Sequence, residues 1–342
     1  MRNRHSFRPV LTDPLEERVV LSHGTSALSL ATDAVHALNK GTDPALLLGQ
    51  VGAVGDSYTD EYKFYPPDRT TARNWVEILH ATRGVRFGQF TNQSRGEPRD
   101  QGFANNWARS GATTIDMVNN QIPGLASQIA SGQVNFGWMF IGGNDFQYFI
   151  QAVELGQIPP ANVLAVLSQV TATAEANFDS GLNTLLNANP NTKFVVSNLP
   201  DVSVLPAVRA AVANNPQGQV LIAAVGQAIQ AYDFHILQTV APDSSRVALI
   251  DLATIVSQIA ASPTGTIQFG GQTITLTTAN NNYHSFFLAD GIHIGTVGQG
   301  IIADLFVNAI DTKFGAIVAP LSQQQIIAFA RNVQGPHGSQ IV

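Results

Sequence analysis

Three short polar motifs occur in order along the chain, and each contains residue types that take part in acyl-transfer chemistry. A Gly-Asp-Ser motif ends at Ser57, a Gly-Gly-Asn-Asp motif contains Asn144, and Asp290 precedes His293 by three residues. A serine hydroxyl attacks an ester only when a base takes its proton and a third group orients that base. Ser57, His293 and Asp290 can fill these three places, so the motifs predict a serine nucleophile.

The spacing of these residues suits the chemistry. Because Asp290 and His293 are three apart, one tight turn can place the carboxylate beside one ring nitrogen while the other nitrogen faces the serine. The glycine before Asp56 lets the chain turn sharply after a strand. We expect Ser57 to begin a helix, whose dipole favours negative charge near the Ser57 N–H. Asn144 and this N–H are candidate donors to the oxyanion that forms during attack.

In type, order and separation, the motifs resemble the sequence blocks of the SGNH (GDSL) hydrolases, over about Val51 to Phe306. The resemblance implies that Ser57 is the nucleophile and that Asp290 and His293 complete the triad. It also implies an oxyanion hole formed by Ser57, Gly111 and Asn144, where Gly111 lies in the block Asn106–Thr114.

One position departs from the family pattern. Proline commonly follows the histidine of the last block, and this chain has Ile294. Each motif alone is common turn chemistry, and it is the joint occurrence in the expected order that favours catalysis. The Gly-x-Ser-x-Gly motif of the α/β-hydrolases does not surround Ser57, so that fold is not indicated.

The composition agrees with an enzyme that has a sizeable core. Of 342 residues 44% are hydrophobic, the net charge is −6, and the basic residues are scattered. A scattered basic content argues against binding to nucleic acid. The chain has no cysteine, which excludes disulfides, thiol catalysis and cysteine metal sites. We expect no cofactor, no metal and no membrane-spanning segment.

Three regions are predicted: an N-terminal arm at 1–45, partly disordered, the SGNH hydrolase domain at 46–315 and a C-terminal extension at 316–342. No apolar leader follows the basic residues at the start. The segment Leu15–Ser22 resembles a short sequence that opens many apparently exported bacterial proteins, and a disordered arm explains it equally well. A location outside the cell or in its envelope is favoured slightly over the cytoplasm.

Alternating apolar strands and amphipathic helices predict a three-layer α/β/α flavodoxin-like sandwich with a five-stranded parallel sheet. The expected strands are Leu47–Val54, Val85–Phe90, Asn135–Ile141, Lys193–Leu199 and Arg246–Leu252. The expected helices include Ala161–Asn189, Val220–Leu237 and Thr296–Phe314. In the strand order 2-1-3-4-5, ligands bind between the first and third strands, which Ser57 and Asn144 follow.

The segment Thr266–Thr277 alternates at period two around Gly270-Gly271, which predicts a β-hairpin insertion. We expect this hairpin to form one wall of the substrate cleft, with Asn280–His284 near the mouth. The alternative is a hairpin that faces solvent, remote from substrate.

The predicted activity is hydrolysis of a carboxylic ester, either a short-chain acyl, a sugar or a lipid ester. Transfer of the acyl group to another alcohol uses the same site and stays open, as does a surface module that binds without catalysis. The pocket decides the substrate, so sequence motifs leave it undetermined. The oligomeric state is also undetermined.

Overall fold

The computed structural model describes residues 49–65, 69–94 and 101–335. The strands within these residues are β1 Val51–Gly55, β2 Phe90–Thr91, β3 Gly102–Phe103, β4 Phe136–Phe140, β5 Lys193–Ser197, β6 Val247–Ile250, β7 Thr266–Phe269, β8 Gln272–Ala279 and β9 Ser285–Phe287. The α-helices are α1 Trp75–Arg83, α2 Thr114–Asp116, α3 Ile122–Ala130, α4 Gly143–Glu154, α5 Val163–Ala188, α6 Pro206–Val212, α7 Pro216–Val240, α8 Leu252–Ala260, α9 Thr296–Phe314 and α10 Gln323–Val333. A π-helical turn, Met117–Gln121, joins α2 to α3.

The central sheet is parallel and has the strand order β1-β4-β5-β6. Its strands are short and almost entirely buried, as expected for a sheet covered on both faces. Because β1 and β4 are neighbours, the loops that follow them meet at the same edge of the sheet. These loops carry Ser57 and Asn144, so the predicted juxtaposition of the two loops is confirmed.

The prediction of five strands is not confirmed, because the segment Val85–Phe90 does not run along β1. It makes one parallel bridge, Gln50 with Arg86, and then leaves the sheet near Gly88, whose φ is +82°. The rest of the β1 edge is covered by residues 105–109, through the bonds Ala53 N to Asn105 O, Trp107 N to Ala53 O and Arg109 N to Gly55 O. Residues 90–91 pair instead with β3 in an antiparallel ribbon.

Helices cover both faces of the sheet. On one face, α1 and α9 pack against β4 through Trp75, Trp138 and Phe306, and the Trp75 and Trp138 ring centroids are 4.6 Å apart. On the other face, α3 packs closely over β1, since a Cβ at Gly52 would lie 2.3 Å from a Leu125 methyl carbon. Helices α5 and α7 pack beside α3, with α5 in contact with both of its neighbours. This is the predicted three-layer α/β/α arrangement.

One helix of the described residues, α7, is long and apolar enough by length and composition to cross a membrane. Helices in protein cores pass the same test, and one side of α7 is buried in the hydrophobic core. Its core residues are Val225, Ile229, Tyr232, Ile236 and Val240. No membrane-spanning role follows from this helix.

The predicted hairpin is present as β7 and β8, joined by Gly270 and Gly271 at φ +57° and +77°. Two successive positive φ values are typical of the tight turns that connect twisted antiparallel strands. Strand β9, which the sequence did not predict, adds parallel to β8. The hairpin contacts α10, where the N–H of Gly270 donates to Gln323 Oε1 at 3.0 Å.

Helix α10 packs on α9 through buried Ile326, and a Cβ at Gly300 of α9 would lie 2.5 Å from an Ile326 carbon. The residues after 315 therefore contribute to the same core as the sheet. The proposed region boundary at 315 stays a prediction. The proposed N-terminal arm at 1–45, including Leu15–Ser22, lies outside the described residues.

Candidate active site

Ser57 lies in a tight turn directly after β1, at the carboxyl edge of the central sheet. Gly55 has φ +155°, and a Cβ there would lie 2.6 Å from the carbonyl oxygen of Phe140, so the approach of β1 to β4 requires glycine. The N–H groups of Thr59 and Asp60 both donate to the Asp56 carbonyl at 3.0 Å. This closes a single turn only. The expectation that Ser57 begins a helix is wrong.

A chain of hydrogen bonds connects Ser57, His293 and Asp290. His293 Nε2 lies 2.7 Å from Ser57 Oγ, and His293 Nδ1 lies 2.5 Å from Asp290 Oδ2. The other carboxylate oxygen of Asp290 accepts the backbone N–H groups of Ile292 and His293, both at 2.9 Å. The spacing of three residues thus folds into one tight turn, as predicted, and the turn aims the imidazole at the serine.

The charge of Asp290 indicates which ring nitrogen of His293 carries a proton. Burial alone raises the pKa of Asp290, but the hydrogen bond and charge of His293 and two backbone N–H groups outweigh it and lower that pKa below its ordinary value. Asp290 is therefore a carboxylate at neutral pH, and its oxygens only accept hydrogen bonds. His293 must then carry its proton on Nδ1, which leaves Nε2 free to accept the Ser57 hydroxyl proton.

Backbone bonds hold the Asp290–His293 turn against β9. The N–H of Leu288 donates to the His293 carbonyl at 2.7 Å, and the N–H of Gly295 donates to the Phe286 carbonyl at 2.7 Å. Ile294, which stands where the family commonly has proline, makes an antiparallel bridge with Phe287. A regular backbone pairing therefore supports the loop at this position.

Gly111 and Asn144 lie on two segments that are bonded to each other. Asn144 Nδ2 donates to the Ala112 carbonyl at 2.9 Å, and the Tyr148 hydroxyl donates to the Gly111 carbonyl at 3.0 Å. Gly111 has φ +80°, a conformation that favours glycine. Only one of the two Asn144 amide hydrogens is used by Ala112, so the second can point toward a bound substrate.

Two carboxyl groups, the buried Asp56 and the half-buried Asp145, brace these loops. Asp145 accepts the N–H and the hydroxyl of Thr114 at 2.9 and 2.7 Å, which ties the start of α4 to the start of α2. Asp56 accepts the N–H of Tyr58 at 3.0 Å. Burial raises the pKa of Asp56 to about 7, although the Tyr58 N–H opposes the shift. Through these contacts Asp56 and Asp145 hold the loops that carry the sequence motifs.

A cavity of about 330 Å³ opens beside Ser57. It runs between α4, α6 and α7, and its lining includes Asn144, Phe140, Ile150, Leu199, Val208 and Ile222. None of the described residues 264–288 lines this cavity. The hypothesis that the hairpin forms a wall of the substrate cleft is therefore not supported.

The sequence over residues 51–306 matches the GDSL-like lipase/acylhydrolase family. The chain belongs to this family. The match covers three quarters of the chain and includes the loops that carry Ser57, Asn144 and His293. The resemblance inferred from the motifs is confirmed, and membership identifies the protein as an ester hydrolase.

Among solved structures, this GDSL-family hydrolase is similar to an extracellular lipase from Streptomyces rimosus, with 16% identity, a TM-score of 0.44 and coverage of 76% of this chain and 99% of that one. It is similar to phospholipase A1 from Streptomyces albidoflavus NA297, with 21% identity, a TM-score of 0.45 and coverage of 77% and 99%. A carbohydrate esterase family 3 protein from Talaromyces cellulolyticus has 19% identity, a TM-score of 0.40 and coverage of 77% and 97%. No curated protein matches the chain in sequence.

Three side chains that position the GDSL-family site were missed by sequence reasoning. The Tyr58 hydroxyl donates to the Ile292 carbonyl at 2.7 Å and so joins the serine loop to the histidine loop. Gln121 bonds both the N–H and the carbonyl of Gly55, at 2.8 and 2.9 Å. Gln299 donates to the Tyr58 carbonyl at 3.2 Å and to the Tyr62 hydroxyl at 2.8 Å.

No motif marks these three residues, because each acts through partners far away in sequence. The π-helical turn that carries Gln121 is the one structural signal, since such turns are frequent at functional sites. Within the described parts of the chain, no group of three or more His, Asp or Glu side chains is placed to hold a metal ion.

Proposed function

We propose that this hydrolase cleaves carboxylic esters through an acyl-serine intermediate, with Ser57 as nucleophile, His293 as acid and base, and Asp290 as the group that orients His293. The observation that carries this proposal is the unbroken hydrogen-bond chain from Ser57 through His293 to Asp290. Its order of groups matches what an activated serine requires.

The proposed reaction has two halves. In the first, His293 Nε2 takes the Ser57 proton, Oγ bonds to the ester carbonyl carbon, and the bond to the alcohol oxygen breaks as His293 returns the proton to that oxygen. In the second, water gives a proton to His293 and its oxygen bonds to the acyl carbon. The bond from that carbon to Oγ then breaks as His293 returns the proton to Oγ, which releases the carboxylic acid and restores the serine hydroxyl. Asp290 stays a carboxylate and stabilises the imidazolium that forms in each half.

The oxyanion of each tetrahedral intermediate is proposed to accept from the N–H groups of Ser57 and Gly111 and from the Asn144 amide. The hydrogen bonds of Asn144 to Ala112 and of Tyr148 to Gly111 support this role, because they hold both donors rigidly before substrate arrives. Donors that are already oriented need no reorganisation during the reaction.

Replacing Asn144 by alanine is expected to lower kcat by roughly 10² to 10³, the usual cost of one lost oxyanion donor. KM should change little, because the bond forms mainly in the transition state. The measurement is steady-state hydrolysis of a p-nitrophenyl ester by purified wild-type and N144A proteins. Asn183→Ala, at an exposed asparagine of α5 that does not line the cavity, is a matched control and should keep the wild-type kcat. An N144A enzyme with wild-type kcat would show that Asn144 has another role.

A covalent probe tests the nucleophile directly. In a p-nitrophenyl alkylphosphonate, Ser57 Oγ bonds to phosphorus, the bond to nitrophenol breaks, and the Oγ proton passes to His293. We expect one equivalent of nitrophenol per chain and a matching mass increase on the peptide that contains Ser57. Denatured protein should not react, because the serine is nucleophilic only beside His293. Label on a different residue of the native protein would refute the assignment.

A further inference from the structure

We propose that the cavity beside Ser57 is an acyl pocket for neutral aliphatic chains longer than acetyl. The inference rests on the proposed function and adds the substrate class: esters of uncharged medium-chain carboxylic acids. Four observations support the proposal: the position of the cavity relative to the triad, the charge of its lining, the solvent exposure of helix α6, and the volume of the cavity.

The position of the cavity assigns it to the acyl side of the substrate. Ser57 and Asn144 line it, together with Phe140 and Leu199 at the ends of the two central strands. His293 is not among the described residues that line it. Since His293 must protonate the leaving oxygen, the alcohol has to depart on the imidazole side of Ser57. The acyl group is then left to extend into the cavity.

The lining excludes an anionic acyl group. Most lining residues are aliphatic or aromatic, and those with a carboxyl group are Glu154, Asp201 and Asp56, of which Asp56 has a pKa raised to about 7 by burial. No lysine, arginine or histidine occurs among the described lining residues. A carboxylate or phosphate on the acyl chain would meet like charge and no cation, which is unfavourable in a pocket of low polarity. An alkyl chain meets mainly apolar side chains.

The solvent exposure of helix α6 indicates that its apolar side is a surface for binding a ligand. None of its seven residues is buried, so the helix does not contribute a packed face to the core. Its lining residues are all small and apolar: Ala207, Val208, Ala211 and Val212. An apolar helix side that faces a cavity is typical of a binding surface for apolar ligands.

The size of the cavity excludes acetyl as the best-fitting acyl group. A volume of about 330 Å³ lies in the range of drug-sized ligand pockets, which is far more than two carbons fill. An acetyl group would leave most of the apolar lining uncovered. Each added methylene covers more of this lining and so increases the binding energy available to the reaction.

The first test compares p-nitrophenyl esters from acetyl to octanoyl with the wild-type enzyme. We expect kcat/KM to rise about fourfold per added methylene while the chain still lies in the cavity, the fold-change that corresponds to burying one methylene. A parallel series of alkyl acetates, in which only the alcohol grows, should show no such rise. A rise in the alcohol series alone would assign the cavity to the leaving group, and equal rates on all acyl lengths would overturn the proposal.

Charge is tested with a matched pair of esters. The p-nitrophenyl monoester of a dicarboxylic acid carries a terminal carboxylate and can be compared with the alkyl ester of equal chain length. We expect at least a tenfold lower kcat/KM for the charged ester, consistent with pockets that reject a poorly matched group. Equal rates on both esters would show that the acidic lining does not exclude anionic chains.

A pair of variants on α6 tests the wall of the pocket. Both Ala210 and Ala211 are exposed, but only Ala211 lines the cavity. Ala211→Trp should fill part of the cavity and lower the octanoyl to acetyl ratio of kcat/KM roughly tenfold. Ala210→Trp should keep the wild-type ratio. If both variants keep it, the acyl chain lies elsewhere.

Different results would contradict the acyl-serine mechanism and the acyl pocket. Ester hydrolysis that persists in Ser57→Ala protein would refute the acyl-serine mechanism itself. Hydrolysis that needs Ser57 but favours acetyl over octanoyl would leave the mechanism intact and overturn only the acyl pocket.

Discussion

Replacing Ser57 by alanine is expected to lower kcat for p-nitrophenyl ester hydrolysis by roughly 10⁴ to 10⁶, the largest effect of any single change in this protein. In the proposed mechanism the hydroxyl is the group that bonds to the substrate, and its Oγ lies 2.7 Å from His293 Nε2. Alanine removes this oxygen and leaves the imidazole without a proton to take. Residual activity would come from oriented water and the remaining donors.

This result can be separated from a folding defect. Ser57 is almost fully buried in its turn, but its hydroxyl bonds to His293, and the turn itself is closed by backbone bonds to the Asp56 carbonyl. Circular dichroism and thermal unfolding of S57A should therefore match the wild type. Ser131→Ala, an exposed serine after α3, serves as the matched control and should retain full activity. S57A activity within tenfold of the wild type would exclude Ser57 as the nucleophile.

Replacing Asp290 by asparagine is expected to lower kcat by roughly 10⁴, as in triads whose histidine is held in the wrong tautomer. The asparagine oxygen can keep the two bonds from the Ile292 and His293 N–H groups. Its NH₂ group then faces His293 Nδ1, which must accept and cannot carry the proton. The proton moves to Nε2, and the imidazole can no longer act as a base toward Ser57.

The Asp290→Asn measurement distinguishes orientation from structure. The turn backbone should be preserved, so the phosphonate probe should still bind but react with Ser57 far more slowly. Asp243→Asn, a replacement in the loop before β6, is a control that leaves the triad untouched. A D290N enzyme with less than tenfold loss of kcat would show that His293 is oriented by other groups, such as the ring of Tyr62 that packs edge-on against it.

Much of the local structure could be predicted because it depends on residues that are close in sequence. The Asp290 to His293 spacing allows the carboxylate, two backbone N–H groups and the imidazole to meet within one turn. Gly270 and Gly271 permit the positive φ values of a tight hairpin. The alternation of strands and helices in the sequence predicted a parallel sheet. It therefore also predicted that Ser57 and Asn144 lie at the same carboxyl edge of that sheet.

The edge of the sheet could not be predicted in the same way. Val85–Phe90 is apolar enough for a strand, but apolarity does not specify a pairing partner. The turn at Gly88 directs residues 90–91 to β3, and residues 105–109 bond to β1 in their place. The helix expected at Ser57 is likewise replaced by a single turn, and in that turn the Tyr58 hydroxyl donates to the Ile292 carbonyl of the histidine loop.

The sequence by itself determined the family, the candidate catalytic residue types and their order, because these depend on identity and short-range spacing. The tertiary structure decided how the serine loop is attached to the histidine loop, through the bond from Tyr58 to Ile292, which are 234 residues apart. It also decided the acyl cavity, whose lining comes from α4, α6, α7 and the ends of two strands. A cavity is the space that packed elements leave between them, so it exists only once the whole chain is folded.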